Sequence, residues 1–230
     1  EAQGFMEAFA QEIAAGIFYN DTLTTPEKFK GLFARYNTLA GAGSGNNVVD
    51  AGGSGSDNTS IAFVTWGDNY THLIHPKGTV IGLQRTDRGS QRVQDGSGNP
   101  YYVMEEEFRQ HFGLVVRDWR ANVRIANIDV SELIAGNVDI YKWMRQAYWR
   151  MKKVTRRVNP NPSLGLPGAR MAIYANATVL EALDGLGNNA TLNPALRIEK
   201  RELEGKEVYM YRDLPIRQAD ALVNTETRVV

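Results

Sequence analysis

The side chains capable of chemistry in this 230-residue chain are few, and their spacing does not converge. His72 and His75 could share a metal ion only with a third ligand, and nothing in the spacing brings His111, the remaining histidine, to them. Asp95, Ser97, Asn99 and Glu106 match positions one, three, five and twelve of a calcium-loop template. Pro100 stands at the sixth position, where the sharp turn needs glycine. Glu105 and Glu106 are adjacent, so in a strand they point to opposite faces instead of toward one substrate. The glycine-rich run 40–60 lacks the GK[ST] ending of a phosphate-binding loop and reads as a flexible connection. No GxSxG elbow occurs, and the absence of cysteine removes disulfides, thiolate zinc sites and cysteine nucleophiles together. The expectation is a non-enzyme with no catalytic, cofactor or metal site.

What remains is a set of residues suited to gripping another surface. Residues 117–125 alternate strictly: Trp119, Ala121, Val123 and Ile125 share one parity, and Asp118, Arg120, Asn122 and Arg124 the other. Period-two alternation predicts a half-buried strand with one polar face. Arginine is suited to fixed, planar pairing with carboxylates. Arg117, Asp118, Arg120 and Arg124 are therefore candidates for one side of a contact between subunits, with Glu105, Glu106 and Glu107 as the complementary surface. A wet antiparallel strand with no binding role explains the same local pattern. A second candidate surface is basic. No acidic residue lies between Asp139 and Glu181, whereas Lys152, Lys153, Arg156 and Arg157 follow one another closely. Those four are expected to face nucleic acid, although cations also simply complement the end of a helix.

The elements that must position these residues follow from periodicity. Phe5, Phe9, Ile13 and Ile17 predict a helix over 1–19, and Thr25-Pro26 starts a short second helix through Phe33. Strands are expected at 61–66, up to Ile74, at 80–84 and 92–94, and over 101–112, with a turn at 95–100. Asn137 is expected to cap a helix to Lys153. A strand at 170–174, a helix at 178–186, a hairpin around Glu204-Gly205-Lys206 and short strands from Leu214 onward complete the chain. Lys and Arg number 26 and Asp and Glu 26, so overall charge favours neither nucleic acid nor a membrane. No apolar run reaches the roughly 18 residues of a membrane span, and no signal peptide is visible. Residue 1 is a glutamate inside a helical stretch, which leads us to expect that the sequence begins part-way through a longer gene product.

Five stretches together resemble a known family: PEKFKGLFARYNTL (26–39), NVVDAGGSGSDNTSIAFVTWGDN (47–69), HPKG (75–78), GLVVRDWRANVRIANIDVS (113–131) and LPIRQADALVNTETRVV (214–230). The chain is similar along almost its whole length to major capsid proteins of tailed bacteriophages with the HK97-like fold, most of all those of certain short-tailed phages. The resemblance implies an α+β fold. Residues 1–22 would hold the spine helix of the peripheral domain, 23–78 a connection and early axial-domain strands, 79–130 the antiparallel β arm of the peripheral domain, and 131–230 most of the axial domain. The arm and extended loop that precede the spine helix in this family are missing, and the order of the peripheral strands implies rearranged connections. It further implies hexamers and pentamers of an icosahedral head, assembled in the host cytoplasm around double-stranded DNA, with scaffold, portal and decoration proteins as further partners and no membrane. Two other readings stand beside it: an encapsulin-like compartment shell, and a calcium- or sugar-binding β-rich module.

Overall fold

Asn58–Trp66 carries apolar side chains on both parities, which a strand can bury only between two layers. This strand, β2, sits in the interior of a mixed sheet. The structure, a computed structural model, describes residues 2–39, 41–155, 169–189, 198–203 and 206–230. It divides into two compact units, residues 73–113 and the remainder of the chain.

In the larger unit the sheet includes β1 (Val48–Asp50), β7 (Val123–Asp129), β2, β8 (Arg170–Ala175), β11 (Leu214–Gln218), β10 (Lys206–Tyr211) and β9 (Glu199–Leu203), side by side in that order. β2 runs antiparallel to both β7 and β8, while β1 is parallel to β7 and β11 to β8. The fold is therefore α+β with a mixed sheet. Ile61, Phe63, Val123, Ile125 and Ile173 meet helices α4 (Ile140–Thr155) and α5 (Ala177–Asn189) on one face. Ala62, Val64 and the partly buried Tyr174 meet Phe18, at the end of helix α1 (Ala2–Tyr19), together with Leu32 and Phe33 of the short helix α2 (Leu32–Arg35). Alternating parity thus fills two cores, as expected for a sheet covered on both sides.

The smaller unit contains a two-stranded antiparallel hairpin, β4 (Gln84–Gln94) with β5 (Pro100–Arg109). Its turn is built on Asp95, whose Oδ1 accepts from the amides of Ser97 (2.9 Å) and Asn99 (2.8 Å). Those backbone bonds hold its carboxyl below the usual range. A bulge between Asp87 and Gly89 shifts the register.

Several expected elements form close to their predicted bounds: α1, β2, β3 (Thr71–Ile74), β8 and α5. Others differ for identifiable reasons. The strand predicted over 117–125 starts only at Val123. Before it, the Asp118 carboxylate accepts the Arg120 amide at 3.0 Å and winds Trp119–Ala121 into a 3-10 turn. That strand belongs to the main sheet and not to an arm reaching from 79 to 130. Residues 80–83 are not a strand, and 84–94 form one continuous strand instead of a single short piece at 92–94. The helix after Pro26 is confined to α2, because 22–28 close into turns held by Asp21. α4 is capped by Asp139, which accepts the Lys142 amide at 3.1 Å, not by Asn137. The glycine-rich run is no loose connection: it holds a 3-10 turn at Gly43–Asn47 and then β1, with Asn47, Val48 and Val49 buried. β9 and β10 pair as the expected hairpin, with Glu204 and Gly205 outside the described residues.

Candidate assembly site

The residues predicted to grip a partner take two different settings. Arg117 is exposed, and its backbone amide bonds the Tyr70 carbonyl at 2.7 Å. Arg120, also exposed, is held in a bidentate pair with Asp118, Nε to Oδ1 at 2.9 Å and Nη2 to Oδ2 at 3.0 Å. The segment between them is rigidly supported from below. Asn47 donates to the carbonyls of Arg120 (3.0 Å) and Asn122 (2.8 Å), and the Tyr36 hydroxyl donates to that of Trp119 (2.7 Å). Asn122 in turn accepts from the Thr65 amide at 3.0 Å and donates to Thr71 Oγ1 at 2.7 Å. Arg117, Asp118 and Arg120 are thus presented on a pinned turn instead of a strand face.

Arg124 is a correction. Its side chain is 7% exposed, beneath the ring of Phe33, whose centroid lies 4.0 Å from the guanidinium carbon. It donates to Ser60 Oγ (3.1 Å), to the Tyr36 carbonyl (2.9 Å) and to Glu226 Oε2 (2.8 Å). Glu226, 4% exposed, also accepts from Ser60 and from the Tyr19 hydroxyl (2.5 Å), and its amide bonds the Asn58 carbonyl at 2.9 Å. Burial first, and the Glu226 charge second, push the Tyr19 phenol well above the ordinary tyrosine range. A guanidinium spent this way cannot meet another subunit. Ser60 shares the parity of Ala62, the cross-strand neighbour of Arg124, so strand alternation alone turns it toward the pair. Asn127, at φ 58, closes the same tail by accepting the Val229 amide (2.8 Å) and donating to its carbonyl (2.9 Å).

The three glutamates lie on β5 and already have partners within their own hairpin. Glu106 pairs with Arg85 at 2.5 Å, Glu105 approaches Arg88 at 3.6 Å, and Glu107 bonds both Arg88 and Arg109. Those arginines, chiefly Arg88, lower the Glu107 pKa. Glu106 is engaged by Arg85 and Asp95 by Ser97 and Asn99, and the described residues include no cluster of His, Cys, Asp or Glu able to hold a metal ion. Of the expected DNA-facing residues, Lys152 and Lys153 lie in α4, while Arg156 and Arg157 fall outside the described residues.

The model of one protein family, major capsid protein GP7, matches residues 1–230, the whole of the chain. The chain belongs to that family. It is a bacteriophage major capsid protein, a structural component of the viral shell, and a capsid protein of this kind assembles with copies of itself. No curated protein matches it. No described helix of the capsid protein is long and apolar enough to cross a membrane.

What sequence reasoning missed is Glu226 and Asn47. Each has polar residues beside it in the sequence, Asn46 before Asn47 and threonines on both sides of Glu226, so nothing local signals burial.

Proposed function

We propose that this capsid protein has the HK97-like fold of the short-tailed phage group and builds the hexamers and pentamers of an icosahedral head around double-stranded DNA. The family match along all 230 residues carries this reading. On it, the turn bearing Arg117, Asp118 and Arg120 is one side of a subunit contact, and the glutamate ladder of the β4–β5 hairpin supplies carboxylates to a neighbouring copy. Exposed ion pairs are worth only about 0–1 kcal/mol each, so those glutamates can exchange intramolecular arginines for intermolecular ones at little cost. Lys152, Lys153, Arg156 and Arg157 face the packaged DNA, and assembly takes place in the host cytoplasm with scaffold, portal and decoration proteins.

Electron microscopy of the complete gene product, expressed with and without its scaffold, tests this. Uniform hollow shells are expected. Arg117→Glu combined with Arg120→Glu should yield folded subunits that fail to form them. Shells of normal yield from that variant would remove the turn from the interface, and subunits that never form shells under any condition would overturn the reading as a whole.

A further inference from the structure

On α4 the buried side chains Ile140, Met144, Ala147, Tyr148 and Met151 line one side of the helix. At roughly 3.6 residues per turn, Lys142, Arg145 and Trp149 fall on the opposite side. Lys142 and Arg145 are exposed, and Trp149 is 50% exposed although it is large and apolar. A second element reaches the same flank. The turn joining β10 to β11 places Arg212 with its guanidinium 4.8 Å from the Tyr148 ring centroid and 5.7 Å from that of Trp149. Arg212 holds this position at φ 57, a conformation unfavourable for a residue other than glycine. Arg145 and Arg212 together oppose the upward push of burial on the Tyr211 phenol, so both cations lie near that ring. Among the described residues no ion pair joins Lys142, Arg145 or Arg212 to a carboxylate.

Arg212 is held against aromatic rings and the Lys142 ammonium lies 4.5 Å from the Trp143 ring centroid; Asp213, which accepts from the Tyr148 hydroxyl at 2.7 Å, is a carboxylate on the same flank, and the three cations outnumber it. Such a face suits a polyanion, and an exposed tryptophan beside it adds a flat apolar contact. We infer that Lys142, Arg145 and Arg212, around Trp149, form a binding surface for the phosphate backbone of double-stranded DNA. The inference rests on the genome-enclosing reading above and assigns a contact surface on α4 and the β10–β11 turn, separate from the four cations near residue 155. The binding expected is independent of base sequence, because contacts to phosphate position a protein on the duplex without reading its bases.

The test is the salt dependence of binding to a short fluorescein-labelled duplex, followed by anisotropy with the full chain. Each phosphate contact contributes about 0.9 to the slope of log K against log salt. The variant carrying Lys142→Gln, Arg145→Gln and Arg212→Gly should therefore give a slope shallower by roughly 2–3, alike for duplexes of unrelated sequence. Glycine suits the left-handed turn, and relief of that backbone strain offsets the lost ring contacts, so Arg212→Gly alone should remove one phosphate contact with little change in melting temperature. A slope unchanged in both variants overturns the inference, while shells formed by the wild type keep the capsid reading intact. Unchanged duplex binding combined with lost shell formation would assign this face to a contact between copies instead. A wild type that neither forms shells nor binds duplex would overturn the capsid-head reading itself.

Discussion

Replacing Glu226 by glutamine removes the carboxylate that faces Arg124 while keeping the size of the side chain. In the native chain Arg124 Nη2 lies 2.8 Å from Glu226 Oε2, with both side chains almost wholly enclosed. Glu226 also accepts from Tyr19 and Ser60, so all the hydrogen-bond donors around it face acceptor oxygens. Glutamine must turn an NH2 group toward one of those donors and leaves a buried guanidinium without its counter-charge. Removing one partner of a buried pair costs about 3–5 kcal/mol. For a chain of this length each kcal/mol lowers the melting temperature by roughly 2–4 °C, so Glu226→Gln should melt about 6–20 °C below the wild type. Replacing both partners by apolar residues, Arg124→Met with Glu226→Leu, removes the charge and its counter-charge together, and such swaps are often neutral. The double variant should recover most of the loss, with a coupling energy of about 2 kcal/mol or more in the cycle. Thermal unfolding of unassembled subunits, followed by near-ultraviolet circular dichroism, measures the wild type, Glu226→Gln, the single variants Arg124→Met and Glu226→Leu, and the double variant. A Glu226→Gln shift below about 2 °C, or a double variant no more stable than Glu226→Gln, would refute the argument that this pair ties the tail to the sheet.

Two further outcomes follow from the same packing. A Cβ at Gly53 would lie 2.6 Å from the Asn127 carbonyl oxygen and 3.1 Å from the Asp129 amide, neither able to move without disturbing β7. Gly53→Ala should therefore cost about 1–3 kcal/mol in a thermal melt, whereas Gly4→Ala, with nothing near its added methyl, should be neutral or slightly stabilising. The Tyr19 phenol, raised by burial and by Glu226, contributes stability that is intact below its unfolded pKa near about 10 and is lost as pH rises toward the folded value. Wild-type stability should fall more steeply above about pH 10 than that of Tyr19→Phe, and parallel pH profiles in chemical denaturation would contradict this sign.

Much of the scaffold was legible because local chemistry and tertiary demand agree. The four-residue recurrence of Phe5, Phe9, Ile13 and Ile17 makes a helix wherever it is placed, and Asp95 with Gly96 and Gly98 makes a turn from its own hydrogen bonds. The family, too, was legible, since five separated stretches carry it. The candidate site was legible only in part. Arg117, Asp118 and Arg120 are at the surface as their polarity suggests, yet Asp118 bends the backbone that alternation alone would have kept extended.

Arg124 shows where sequence reasoning stops. Its position in an alternating run determined which parity it takes, and the structure preserves that parity: Val123 and Ile125 join the helix-covered core on one face, while Arg124 points to the other. Whether that other face is wet or buried depends on what covers it. The cover is α2 and a carboxylate 102 residues further along the chain. Parity is a property of neighbouring dihedrals, so the sequence by itself determined it. Burial is a property of segments that meet only when the whole chain has folded, and tertiary structure alone decided it.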